Sequence, residues 1–288
     1  MEPSLSRTHQ EESRQKWRCS SSTPVAWSPA SRFLDSSHTH VRPRGGEMMR
    51  TSTVVLVHGA FLDASGWWPI VLRLLDGGHR VLVPPVIGRS FLGDCDYIRT
   101  FVERVDGEVL LVGHGYGAAV VTVAGEATNV TGLLFISGYA LDQGESIAEM
   151  RDRFAPDEAS GHLVPALFPG DAGARRTELT VAPDQFARLL AQGLPSDESG
   201  VLAVSQRPIS ASVFTERAPG AGWRAKPSWG VVATEDRLVS PQLQRFGYRR
   251  AGCRAVMELD APHLVTQSHA AEIVQLIGGI LEEIAAHG

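Results

Sequence analysis

The residues best able to do chemistry stand in short turns that follow apolar runs. Gly113-His114-Gly115-Tyr116-Gly117 follows Leu110-Leu111-Val112 and leads into Ala118-Ala119-Val120. A strand that enters a helix through a tight, glycine-flanked turn lifts the residue at the tip clear of the sheet, which is where a nucleophile is displayed. Here the tip residue is Gly115, and a hydrogen atom cannot attack a carbonyl. Further along, Thr234-Glu235-Asp236 follows one apolar run and Asp260-Ala261-Pro262-His263 follows the next, so an acid precedes a histidine by 27 residues. Nucleophile position, acid, histidine is the chain order of one class of acyl-transfer catalysts. Asp236 is the expected acid, with Glu235 its immediate rival and Asp260 a more distant one.

Turns of this kind need a parallel sheet beneath them. The run 53–59 is β-branched and apolar, as a strand buried on both faces must be. Strands are also expected at 79–85, 108–113, 131–137, 228–234 and 254–259. Helices are expected at 67–75, capped by Asp63 or Ser65 and ended by Gly77-Gly78, and at 96–105, 116–126 and 269–286. The last carries Ile273, Leu276, Ile277, Ile280, Leu281 and Ile284 at spacings of three and four, one buried stripe. Strands alternating with helices predict a doubly wound, mostly parallel sheet with helices on both faces. From about 141 to 226 the alternation lapses, leaving short helical pieces at 183–192 and 196–206. This segment reads as a small helical cap inserted over the ligand site. In such sheets ligands bind at the carboxyl ends of the strands, so His58, Gly59, Ala60, Phe61, Ser137 and Gly138 join the elbow, the acid and the histidine there.

At these positions the chain resembles the α/β-hydrolase superfamily. "VVLVHGAFLDASGWW" resembles its first core strand and oxyanion loop, and "LLVGHGYGAA" its G-x-S-x-G elbow with glycine in place of serine. "VVATEDRLVSP" resembles its acid turn, and "LDAPHLVTQSHAAEI" its histidine loop and last helix. The motifs stand in the family's order and cover about 53–288. They are most similar to the small bacterial esterase-like proteins and the plant methylesterase and hydroxynitrile-lyase branch. The resemblance implies an α/β-hydrolase fold. It implies His263 as general base, Asp236 as the residue that orients it, and Gly115 at the nucleophile position. It also implies an oxyanion hole from the backbone N–H groups of Tyr116 and of Ala60 or Phe61. His58, Trp67, Trp68 and Ser137 are candidates for the substrate pocket. A structural role is the simpler expectation for His58 and His114, as are core and pocket wall for the two tryptophans.

The expected function is action on a small carbonyl compound, ester- or lactone-like, by His263 and Asp236 without a serine acyl-enzyme. The alternatives are a lyase- or cyclase-type catalyst in which His263 deprotonates the substrate itself, a non-catalytic relative that binds a small apolar ligand, and an inactivated variant of an ordinary serine esterase. A formal net charge of −5 over 288 residues gives no reason to expect nucleic acid as partner. No apolar run approaches the ~18 residues that span a bilayer, so no membrane is expected either, and a cytoplasmic location is. Cys19, Cys95 and Cys253 form neither a disulfide framework nor a CxxC metal signature. No metal and no cofactor are expected, and oligomeric state is open. Residues 1–48 are rich in Ser, Arg and Pro and read as a disordered extension, with the native start expected at Met48 or Met49. Residues 49–288 read as one domain.

Overall fold

The apolar residues of β1 (Thr53–Val57) divide between two cores. Val55 and Val57 join one buried cluster, Val54 and Leu56 the other. Successive side chains of a strand point to opposite faces, so a continuous apolar run must be covered on both. β3 (Val109–His114) and β4 (Val130–Ile136) divide in the same way. The structure, a computed structural model, describes residues 52–154, 158–170 and 173–287. The expectations for residues 1–48 lie outside the described residues.

Six parallel strands form the central sheet, in the order β2 (Arg80–Leu82), β1, β3, β4, β8 (Ser228–Ala233), β9 (Val256–Leu259). Helices α1 (Trp68–Asp76) and α9 (Ala270–His287) cover one face. Ile70 and Leu74 meet Ile273, Ile277, Ile280 and Ile284 there. Helices α2 (Phe91–Glu103), α3 (Tyr116–Ala124) and α7 (Pro241–Arg250) cover the other. The chain runs outward from β1 to the edge at β2, then returns past β1 to β3 and on to β4. The connections leaving β1 and β3 therefore diverge, which opens a crevice at the carboxyl ends of these neighbouring strands.

The segment between β4 and β8 holds more than short helices. The expected pieces form as α5 (Pro183–Leu190) and α6 (Ser196–Val204), after α4 (Ile147–Asp152). Beside them lies an antiparallel sheet of β5 (Leu163–Pro169), β6 (Arg175–Val181) and β7 (Ile209–Ser210) that the pattern did not announce. The reason is chemical. β5 reads Leu-Val-Pro-Ala-Leu-Phe-Pro, and proline is tolerated in a strand only at an edge, which is where β5 lies. The loop after β2 ties this segment to the core. Gly88 O accepts from Ser210 N at 2.7 Å, Arg89 pairs with Glu178, and Ser90 Oγ donates to Glu216 at 2.8 Å.

Candidate active site

Gly115 joins β3 to α3 in a conformation that few residues adopt, φ +55° and ψ −116°. Two glycines make the turn possible by close approach. A Cβ on Gly117 would stand 2.3 Å from Val57 O, and one on Gly113 would stand 2.5 Å from Gly117 O. No side chain fits at either place, so α3 packs directly against the ends of β1 and β3. Gly115 is different. A Cβ there would meet only His263 at close range, at 3.0 Å from Nε2 and 3.1 Å from Cε1.

His263 lies in the loop between β9 and α8 (Val265–Ser268), almost wholly buried. Its Nδ1–H donates to Asp236 Oδ2 at 2.8 Å. A carboxylate only accepts, so this bond holds the proton on Nδ1 and leaves the Nε2 lone pair on the Gly115 side. Asp236 is in turn fixed by its own turn. Oδ1 accepts the backbone N–H groups of Leu238 and Val239, each at 2.8 Å, and Oδ2 also accepts Gln244 Nε2 at 2.9 Å. Gln244, buried on α7, binds Val239 O and the N–H of Ala233 as well. The acid turn and the histidine loop are joined by Glu235 N–Ala261 O and Thr234 N–Leu259 O bonds. The rival acids are elsewhere: Glu235 is exposed, and Asp260 is exposed and accepts Thr234 Oγ1.

The other buried histidines are structural supports. His114 Nε2–H donates to His263 O at 2.8 Å, with the two rings 4.5 Å apart. Burial, and then the neighbouring His263, hold its imidazole well below the ordinary value of 6.5. His58 donates from Nδ1 to Gly59 O and accepts Val86 N–H at Nε2, both at 3.0 Å, which fixes a neutral tautomer. Burial lowers its pKa also.

Ala60 and Phe61 flank the site after β1. Phe61 has φ +65°, a left-handed conformation that is costly for an aromatic residue. Such outliers persist where the surroundings impose them, often beside ligands. Among the described residues, no turn or loop bond uses the backbone N–H of Ala60, Phe61 or Tyr116. The Tyr116 N–H also opens α3, where helix-end N–H groups lack intrahelical acceptors. The Tyr116 hydroxyl is held by Asp94 at 2.7 Å. Asp94 is a buried carboxylate that also accepts the N–H groups of Ile87 and Gly88. Burial raises the Asp94 pKa above its ordinary 3.8, against these hydrogen bonds.

His263, Tyr116, Ala60 and Phe61 border one pocket, which Arg151, Leu163 and Phe214 of the inserted segment border from the other side. Its volume is about 400 Å³, part of it open to solvent.

Trp67, Trp68, His58 and Ser137 do not border this pocket. Trp67 is buried in the opposite core, edge-on to His114 at 6.1 Å, and Trp68 is 62% exposed on α1. Trp67 precedes and Trp68 begins α1, which lies on the α9 side of the sheet and away from the pocket that His263 borders. Ser137 is fully buried with φ +45°, and its hydroxyl has no hydrogen-bond partner among the described residues. Gln244, Asp94, Arg151 and Phe214 were not anticipated. Among the described residues, no group of three His, Cys, Asp or Glu side chains could hold a metal ion, and no helix is long and apolar enough to cross a membrane.

The chain is 24% identical over 258 residues to norfluorocurarine synthase 2 of Strychnos sp., covering 80% of this chain and 95% of that one. It is 29% identical over 124 residues to a carbendazim hydrolyzing esterase of Nocardioides sp. (strain SG-4G), a match spanning 38% of this chain and about half, 51%, of that relative. Among solved structures, polyneuridine aldehyde esterase superposes with a TM-score of 0.70 at 18% identity, over 80% of this chain and 99% of that one. Tomato methylketone synthase I complexed with 2-tridecanone superposes with a TM-score of 0.67 at 18% identity, over 81% and 99%. The fold is the α/β-hydrolase fold, with a central parallel sheet and helices on both sides. The profile of the alpha/beta hydrolase family matches residues 54–276, and the chain belongs to that family.

Proposed function

We propose that this protein acts on a small neutral carbonyl compound, ester- or lactone-like, with His263 as general base and acid, and without an acyl-enzyme. Gly115 stands at the nucleophile position. Water held by His263 Nε2 takes the place of the serine hydroxyl. Nε2 accepts a proton as the water oxygen attacks the carbonyl carbon, and returns it to the departing oxygen. Asp236 keeps the other ring proton on Nδ1 and stabilises the imidazolium formed in between. The backbone N–H groups of Tyr116 and of Ala60 or Phe61 stabilise the oxyanion, a contribution worth about 10²–10³ in rate per donor in comparable sites.

One observation carries this reading. The His263 Nδ1–Asp236 bond points Nε2 at a residue with no side chain. The base is oriented and buried, and among the described residues no donor competes for its Nε2 lone pair, as general-base catalysis requires. The pocket supports it too, because His263 borders it together with Ala60, Phe61 and Tyr116. The relatives named as esterases, and the structure holding 2-tridecanone, support a small, largely apolar carbonyl compound as the ligand.

The test is hydrolysis of aryl acetates and simple lactones by the full chain, by His263→Ala and by Gly115→Ser. Activity in the parent that His263→Ala lowers by on the order of 10²–10⁴ supports the proposal. Activity confined to Gly115→Ser would identify an inactivated esterase. A parent no faster than His263→Ala, yet binding 2-tridecanone, would identify a non-catalytic binding protein.

A further inference from the structure

Arg151 borders the pocket from the inserted segment, and among the described residues that border it Arg151 carries the one permanent charge. Helix α4 holds it there. Ser146 caps α4 through a reciprocal pair of bonds with Glu149, Glu149 pairs with Arg217, and Ile147 and Met150 are buried. The guanidinium is steadied in turn. Its Nη2 donates to Ser160 Oγ at 2.6 Å, and its carbon stands 6.0 Å from the centroid of the Phe214 ring. The neighbouring border is apolar, formed by Ala159, Leu163 and Phe214. Arginine donates and never accepts, so a ligand group that it receives must be an acceptor. A second full charge is costly to bury among such neighbours, which favours the oxygen of a neutral carbonyl.

The segment around Arg151 is tied to both turns that carry the catalytic pair. Glu158, in the same short helical turn as Ser160, pairs with Arg188 of α5 and lies 3.8 Å from Arg237, the residue after Asp236. Leu190, at the end of α5, accepts the N–H of Leu264, the residue after His263, at 2.8 Å. These ties hold the guanidinium and His263 Nε2 at a set separation. Both border one pocket of about 400 Å³, a size that accommodates a small ligand with two polar ends.

We infer that Arg151 is a specificity-determining residue that binds a second carbonyl oxygen of the substrate, so that the preferred substrates are small neutral diesters and oxo-esters. The inference rests on the reaction proposed above and names the rest of its substrate. A hydrogen bond from a charged donor in apolar surroundings contributes about 10- to 100-fold in affinity. Because the two ends of the pocket are tied together, one spacing of the two carbonyl groups sets the reacting carbon at His263 while the other oxygen reaches Arg151. Shorter and longer substrates lose one contact or the other.

The experiment measures methanol release by the full chain from dimethyl succinate, glutarate, adipate and pimelate, each beside a methyl alkanoate of matched length. One diester is expected to exceed its matched monoester by about 10- to 100-fold in kcat/KM, with the preference falling on either side of that length. Arg151→Met should abolish the preference, and Arg151→Lys, which keeps the charge without the planar fork, should restore part of it. A merely structural role for Arg151 would lower both rates together and leave their ratio standing, and that outcome overturns the inference. Diesters no better than monoesters at every length in the parent overturn it without any variant, and His263-dependent hydrolysis of the monoesters would then leave the proposed reaction standing. Faster turnover of monomethyl glutarate than of dimethyl glutarate also overturns it, by making the bound group a carboxylate. Hydrolysis of neither series above the level of His263→Ala overturns the reaction and the inference together.

Discussion

His263 Nε2 lies 3.0 Å from the point where a Cβ on Gly115 would stand, while the opposite edge of the same ring is bonded to Asp236 at 2.8 Å. The imidazole is thus held between a carboxylate and a residue with no side chain. The relationship has consequences in both directions. Adding a side chain at 115 must displace the ring by a few tenths of an ångström or strain the turn, and removing Asp236 must release the ring.

Gly115→Ser is expected to lower stability by about 1–3 kcal/mol, the cost of holding a residue with a Cβ in a sparsely populated conformation. It should also gain covalent labelling by a fluorophosphonate that the parent does not take. Urea denaturation checks the first effect and intact-protein mass spectrometry the second. A Gly115→Ser protein as stable as the parent would mean that the positive φ is not maintained in solution.

Asp236→Asn leaves the geometry of the pair nearly intact but turns a donor-NH₂ group toward one of its hydrogen-bonding neighbours. Loss of the correct tautomer in comparable pairs costs about 10⁴ in kcat, so a fall of that order in ester hydrolysis is expected. Gln244→Leu should act more mildly, since Leu238 N, Val239 N and His263 still hold the carboxylate. A hydrolysis rate unchanged by Asp236→Asn would remove Asp236 from the mechanism.

Stability should fall as the solution is acidified below about pH 6.5. The sign follows from His58 and His114, both lowered from 6.5 chiefly by burial. Between their folded-state values and 6.5 the unfolded chain binds more protons, so the stability they contribute is present above 6.5 and is lost as pH falls. Asp94, raised above 3.8, has the opposite sign, and its contribution is lost as pH rises from the acid end. Urea midpoints of the parent at about pH 8 and about pH 5.5 should differ, and His114→Asn should shrink the difference. An equal difference in His114→Asn would show that His114 is not held neutral.

Tyr116→Phe removes one hydrogen bond to Asp94 and leaves the Tyr116 backbone N–H in place. A stability loss of about 1 kcal/mol is expected, with kcat for ester hydrolysis changed less than threefold to fivefold, about 0.6–1 kcal/mol. A loss of kcat comparable to that of His263→Ala would assign the hydroxyl itself to the chemistry.

The sheet and the turns at its carboxyl edge were legible because each depends on local pattern. Continuous apolar runs such as Thr53–Val57 have no other use than double burial, and glycines 113 and 117 stand where backbones touch. The inserted segment was legible only in its helices. Two prolines disguise β5, and β6 carries Arg175, Arg176 and Glu178 on a strand whose only buried residue is Val181. Helix α7 was missed because its polar surface outweighs Leu243 and Tyr248. The tryptophans were misplaced because adjacency in sequence to Phe61 says nothing about which face of the sheet a helix covers. Asp94 and Gln244 were invisible for a related reason, as their partners lie on other elements and no spacing rule connects them.

The measurement that tests the central claim most directly is intact-protein mass spectrometry of the full chain during turnover of p-nitrophenyl acetate, beside the same assay of His263→Ala. The account predicts steady release of p-nitrophenol by the parent, no acetylated protein at any time, and a rate lower by on the order of 10²–10⁴ without His263. An acetylated parent that forms and decays at the turnover rate, or equal rates in the two proteins, would contradict it.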